Sequence, residues 1–148
     1  EPFFVVYSDN LTDINYTNLL AAHREQGPVA TIASYFEAHP EQKGIIEYDE
    51  TGLIKRFVEK PKPEQVTSNY ANAGIYVVSP DIFPLLEELE ESVLDFGHHV
   101  FPHLLRQDRP MRVYTMNETL LDIGNHENYT KAQDLPEKMN LNYDNDNN

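Results

Sequence analysis

The chain has 148 residues, 40% of them hydrophobic, a formal net charge of −14 and no cysteine. That length supports one domain with a real core; without cysteine, disulfides, thiolate nucleophiles and Cys-type zinc sites are excluded. No apolar run approaches a membrane span, no start reads as a signal peptide, and the acidic balance makes nucleic acid and anionic lipid poor partners.

The first element is an apolar run, Phe3-Phe4-Val5-Val6-Tyr7, entered directly from Glu1-Pro2. It reads as a parallel strand buried on both faces, and further sequence is expected upstream of it. Ser8-Asp9-Asn10 forms the turn leaving that strand. Asn15 or Asp13 can cap a helix to about residue 26, stopped by Gly27-Pro28. Residues 29–36 are rich in β-branched side chains and predict a second strand. Residues 44–48 and 53–58 flank Asp49-Glu50-Thr51-Gly52, a hairpin signal with glycine placed for a positive φ. Glu59-Lys60-Pro61 and a polar loop follow, then a strand over 73–78.

Ser79-Pro80 opens a predicted helix to about residue 91, and residues 95–107 hold another with Val100, Phe101, Leu104 and Leu105 inward. A strand over 112–116 precedes Leu120-Leu121, which runs into Asp122-Ile123-Gly124, and Asn125 can cap a last helix. The domain is expected over residues 1–135. Residues 136–148, dominated at their end by Asn and Asp, read as a disordered acidic tail. Strands alternating with helices imply an α/β fold: a mixed, mostly parallel sheet with helices on both faces. In such sheets ligands sit beyond the carboxyl ends of strands, where Asp9 and Asp122 fall.

Those two aspartates suit a hard divalent ion such as magnesium, and each serves equally well as a cap of the element that follows. Glu59 can accept two sugar hydroxyls and Lys60 can meet a phosphate; the pair also fits a solvated strand end. Asn72-Ala73-Gly74 permits close approach of a ligand or of another backbone. His99 and His103 are four apart, but Pro102 lies between them and no Glu accompanies them, so zinc is weakly indicated. No Gly-rich phosphate loop is present.

In order, the chain reads F-V-V-Y-S-D-N, H-R-E-Q-G-P-V-A-T-I, K-G-I-I-E-Y-D-E-T-G-L-I-K-R-F-V-E-K-P, N-A-G-I-Y-V-V-S-P, D-F-G-H-H-V-F-P-H-L-L and L-D-I-G-N-H-E-N-Y. This series resembles the sugar-1-phosphate nucleotidyltransferases, the family of mannose-1-phosphate guanylyltransferase, glucose-1-phosphate thymidylyltransferase and ADP-glucose pyrophosphorylase, over residues 3–135. The resemblance implies a Rossmann-like nucleotide-diphospho-sugar transferase fold lacking its N-terminal strands. It implies an enzyme that joins a sugar-1-phosphate to a nucleoside triphosphate, with magnesium and release of pyrophosphate.

By the same resemblance, Asp9 and Asp122 are metal ligands, and Asp9, Lys60 and Asp122 are catalytic. Lys60 holds the sugar's phosphate, Glu59 holds its hydroxyls, and Gly44, Asn72 and Gly74 wall the sugar pocket. The family's G-x-G-x-R-L segment, which cradles the triphosphate, is not among these residues. Asp9 follows Ser8 where the family usually has Gly, and Asn125 stands where it usually has Thr. The chain alone is therefore expected to be inactive, the triphosphate binding only if that segment is supplied. The first strand is expected to be an open apolar edge through which the chain self-associates. The alternatives are a non-catalytic remnant that binds a sugar phosphate or a partner, and a metal-dependent glycosyltransferase; against the latter, Ser8-Asp9-Asn10 lacks a D-x-D. A chain without cysteine is expected to suit the cytoplasm.

Overall fold

A computed structural model describes residues 1–133. The expected tail, residues 136–148, lies outside the described residues. Two units emerge: one built from Glu1–Val6 and Tyr16–Met116, the other from Tyr7–Asn15 and the chain from Asn117 onward.

The first unit holds a six-stranded sheet. Its strands are β1 (Phe3–Val6), β3 (Ala30–Phe36), β4 (Gly44–Tyr48), β5 (Ile54–Glu59), β6 (Tyr70–Val78) and β7 (Met111–Thr115). The order is β5-β4-β6-β3-β7, with β1 also paired to β6. The mixed α/β class stands. The expected predominance of parallel pairs does not, since only β3 and β7 run parallel among the described strands. The reason is connection length. A parallel neighbour needs a long crossover, and the short links from β3 to β4, β4 to β5 and β5 to β6 contain no α-helix. Strand β1 is corrected with them. It lies antiparallel to β6, and burial alternates along it, leaving Phe4 38% and Val6 43% exposed.

Alternation along β3 assigns its two faces. Ala30 and Ile32 join a core with Ile46, Phe57, Tyr76 and Val78 from the sheet. Helices α2 (Ile82–Glu87) and α3 (Phe101–Arg106) cover that face with Ile82, Leu85, Phe101 and Leu104. Each such side chain contributes roughly 1.5–3 kcal/mol when fully buried. Thr31 points the other way and meets His23 of α1 (Tyr16–Gln26), at 2.9 Å from Thr31 Oγ1 to the ring Nδ1. Helices therefore lie on both faces, as expected.

Helix α2 stops at Glu87, short of the predicted end. Glu87, Glu88, Glu90 and Glu91 crowd like charge onto its carboxyl end, where the helix dipole disfavours anions. The hairpin forms as read. Gly52 takes φ +81, and the Asp49 carboxylate accepts the Thr51 and Leu53 backbone N–H groups. In the second unit, β2 (Asn10–Thr12), which the sequence reading did not identify, pairs antiparallel with β8 (Leu120–Asp122). Helix α4 (His126–Ala132) follows, capped by the Asn125 side chain, which accepts the Asn128 N–H at 2.9 Å.

Candidate functional site

Strand register assembles one cluster in the first unit. Gly44 pairs with Glu59 across β4 and β5. On the other side of β4, Ile45 pairs with Ala71, so the same register carries Gly44 towards Asn72 of β6. Strand β4 meets β6 at Ala71, and β1 meets it at Ile75–Val78. Asn72, Ala73 and Gly74 fall between these two pairings. Opposite them, the β3 register skips from Ile32↔Tyr76 to Ser34↔Asn72, a bulge in β6. Gly74 takes φ +69 there, which explains the glycine. The Asn72 side chain fixes the bulge by accepting the Gly74 N–H at 2.9 Å and donating to the Tyr76 hydroxyl at 2.9 Å.

Glu59 is the centre of this cluster. A Cβ added to Gly44 would lie 2.5 Å from Glu59 Oε2, and one added to Gly97 would also lie 2.5 Å from that oxygen. The carboxylate is thus held against two bare backbones, one from a strand and one from the π-helical turn Phe96–Val100. Phe96 anchors that turn on Tyr76 and Phe101, with ring centroids 5.2 and 5.5 Å away. Asp95 caps it, accepting the His98 N–H at 2.7 Å. Burial pushes the Glu59 carboxyl up from its ordinary value; His98 opposes this, and Asp95 reinforces it.

Lys60 is exposed and takes φ 45, a left-handed backbone unusual for a side-chain-bearing residue. Its N–H donates to the Lys43 carbonyl at 3.1 Å, and the buried Pro61 follows. Strain of this kind gathers at functional positions.

In the second unit, Asp9 and Asp122 come together. A Cβ built on Gly124 would sit 3.1 Å from Asp122 Oδ1 and 3.1 Å from Asp9 Oδ2, so the two carboxylates face the same bare glycine. The Gly124 N–H donates to Asp122 Oδ1 at 2.9 Å, and the Ile123 N–H donates to the Asp9 carbonyl at 2.7 Å. Two carboxylate oxygens suit a hard cation that keeps most of its waters, as magnesium does. Among the described residues no group of three or more His, Cys, Asp or Glu converges to hold a metal. The two histidines weighed for zinc have other partners. His99 Nδ1 accepts the Asp95 N–H at 2.9 Å, and His103 Nε2 lies 3.1 Å from a Glu88 oxygen.

Sequence reasoning missed Gly97, along with Asp95 and His98 beside Glu59. The signal was available in Asp95-Phe96-Gly97, a motif quoted without a role.

The fold and these clusters define a mixed α/β domain with a strand-end carboxylate pair and a carboxylate clamped between glycines. The family model described as nucleotidyl transferase matches residues 1–138, and the chain belongs to that family. It is 37% identical over 126 residues to the mannose-1-phosphate guanylyltransferase catalytic subunit beta of Drosophila pseudoobscura pseudoobscura, covering 84% of this chain and 32% of that protein. It is 31% identical to the UTP–glucose-1-phosphate uridylyltransferase of Synechocystis sp. (strain ATCC 27184 / PCC 6803 / Kazusa), covering 89% of this chain and 34% of that protein. A crystal structure of apo UDP-glucose pyrophosphorylase superimposes with TM-score 0.76 at 27% identity, covering 93% of this chain and 55% of that one. The chain thus spans about a third of the length of the curated relatives it matches. Among the described residues no helix is long and apolar enough to cross a membrane.

Proposed function

We propose that this chain is the sugar-phosphate-binding part of a sugar-1-phosphate nucleotidyltransferase. The observation that carries the reading is Glu59, lodged against the bare backbones of Gly44 and Gly97. A side chain on either glycine would displace the carboxylate. Hydroxyls of a bound sugar would donate to that carboxylate. The Asn72–Gly74 bulge supplies a further wall, and Lys60 meets the phosphate of the bound sugar as a point charge.

In the proposed reaction a phosphate oxygen of the sugar-1-phosphate forms a bond to the α-phosphorus of a nucleoside triphosphate. The bond from that phosphorus to the β-phosphate bridging oxygen breaks, and pyrophosphate leaves. Binding and orientation supply most of such catalysis. Asp9 and Asp122 would hold magnesium, which supplies neutralisation of phosphate charge. The G-x-G-x-R-L turn expected to grip the triphosphate is not in this sequence, so the chain by itself transfers no nucleotide. With no cysteine to oxidise, the chain suits the cytoplasm. Strand β1 pairs only with β6 among the described strands and presents Phe4 and Val6 outward, an edge that self-association would cover.

Calorimetry with mannose-1-phosphate and glucose-1-phosphate tests the central claim. Saturable binding is expected. Glu59→Ala should weaken it at least about tenfold by removing a charge-assisted acceptor. Equal binding by the variant, or turnover by the chain with triphosphates and magnesium, would refute the reading.

A further inference from the structure

The first unit contains a cavity at the end of β5 remote from Glu59. Its volume is about 220 Å³; Leu53, Leu105 and Pro110 line its apolar part, and Lys55, Asp108 and Arg109 its charged part. This is below the roughly 300–1,000 Å³ typical of pockets for drug-sized ligands, so a small molecule fits it best.

One wall is the end of α3. The Asp108 N–H donates to the Leu105 carbonyl at 3.2 Å, and the Arg109 N–H donates to the Leu104 carbonyl at 2.9 Å. That is the Schellman pattern, whose left-handed position usually belongs to glycine. Here Asp108 occupies it at φ 51. The substitution of Asp for Gly costs about 1 kcal/mol of backbone strain. It places a carboxylate at the cavity, with a guanidinium next in the chain.

The charges around the cavity are not equally committed. Lys55 Nζ pairs with Asp49 Oδ2 at 3.0 Å. The Arg109 guanidinium has no hydrogen bond or ion pair among the described residues, and it is exposed. In a chain of net charge −14, an uncommitted guanidinium over a partly apolar cavity is a local exception that selects anions.

We infer that this cavity is a second ligand site, for a small hydroxylated anion: a phosphate or carboxylate that also carries hydroxyl groups. The guanidinium presents paired N–H donors to the acid group. The Asp108 carboxylate would repel a bare dianion and accepts hydroxyl donors, so it favours a hydroxylated ligand over a simple one. Leu53, Leu105 and Pro110 take the carbon skeleton. The site is independent of the reading given to Glu59.

The test is amide NMR of the isotope-labelled chain, titrated separately with glycerol 3-phosphate, glycerate, inorganic phosphate and glycerol. Saturable shifts are expected at Leu53, Lys55, Leu105, Asp108 and Arg109 with a hydroxylated anion, and none with glycerol. Binding of either hydroxylated anion supports the site, and the tighter one identifies its acid group. Arg109→Gln should weaken binding about tenfold with a dispersed spectrum retained, and Glu59→Gln should leave it unchanged. The inference is overturned if neither hydroxylated anion shifts these amides saturably, if Arg109→Gln binds equally well, or if the shifts gather around Glu59. Inorganic phosphate binding as tightly as glycerol 3-phosphate would overturn the assigned role of Asp108.

Discussion

Burial is the main reason the Glu59 carboxyl sits above its ordinary value, with His98 pulling it down and Asp95 pushing it up. The folded chain therefore holds this proton more tightly than the unfolded chain. The group's contribution to stability is greatest in acid and is lost as pH rises through the folded-state value. At neutral pH an ionised Glu59 works against the fold. Glu59→Gln should raise Tm by about 2–4 °C at pH 7 and weaken sugar-1-phosphate binding; an unchanged or lower Tm counts against the burial argument. The two glycines make a sharper pair. The three atoms nearest an added Cβ at Gly97 belong to the Glu59 and Asp95 side chains, whereas at Gly44 the Phe57 ring also lies close, at 2.8 Å. Phe57 is buried in the core. Gly97→Ala should thus weaken sugar-phosphate binding about tenfold with little change in stability. Gly44→Ala should lose binding and about 1–3 kcal/mol of stability as well. Calorimetry and thermal melts on both variants separate the two effects; equal stability losses would contradict the geometry.

The local elements differ in how openly the sequence declares them. The Asp49–Gly52 hairpin was legible because a turn of that type writes its needs into adjacent residues. Asn125 as the cap of α4 was legible for the same reason. The β6 bulge was half legible: Asn72 and Gly74 drew attention, but their bulge depends on register against β3, which pairs residues far apart in the chain. The π-helical turn carrying Gly97 left a weaker trace, because the periodicity of residues 95–107 matches an ordinary helix. Strand direction was the least legible feature. An apolar run such as Phe3-Phe4-Val5-Val6 fits a buried parallel strand and an antiparallel edge equally, and topology decides between them. The bulge yields its own prediction. Asn72→Ala removes the acceptor for the Gly74 N–H and a donor to the Tyr76 hydroxyl, inside a strand whose Tyr76 is fully buried. A loss of about 1–3 kcal/mol in denaturant unfolding is expected. A change below a few tenths of a kcal/mol would show that the strand holds the bulge without the side chain.

Across the whole molecule, acid has opposing consequences. With a net charge of −14, lowering the pH relieves self-repulsion, and protonation of Glu59 acts in the same direction. His23 acts against both. Its Nδ1 lies 2.9 Å from Thr31 Oγ1 and its Nε2 lies 3.1 Å from Ser79 Oγ. The Ser79 hydroxyl donates to the Pro28 carbonyl at 3.0 Å, so it has no proton left for the ring. Nε2 must therefore carry the hydrogen, and Nδ1 accepts from Thr31. A protonated ring would turn a second N–H onto the Thr31 hydroxyl, whose own proton would then lose the ring as its acceptor at a position only 2% exposed. Burial, then Arg24, lowers the His23 value below the ordinary 6.5. The unfolded chain takes up this proton first as pH falls, so the contribution of His23 is intact above the ordinary histidine value and is lost below it. Because charge relief runs the other way, the informative quantity is a difference: the Tm of the chain minus that of His23→Gln, followed from pH 8 down to 5 in moderate salt. That difference should be positive at pH 8 and shrink as pH falls through the histidine range. A difference constant with pH would mean that the ring between α1 and β3 does not titrate against the fold.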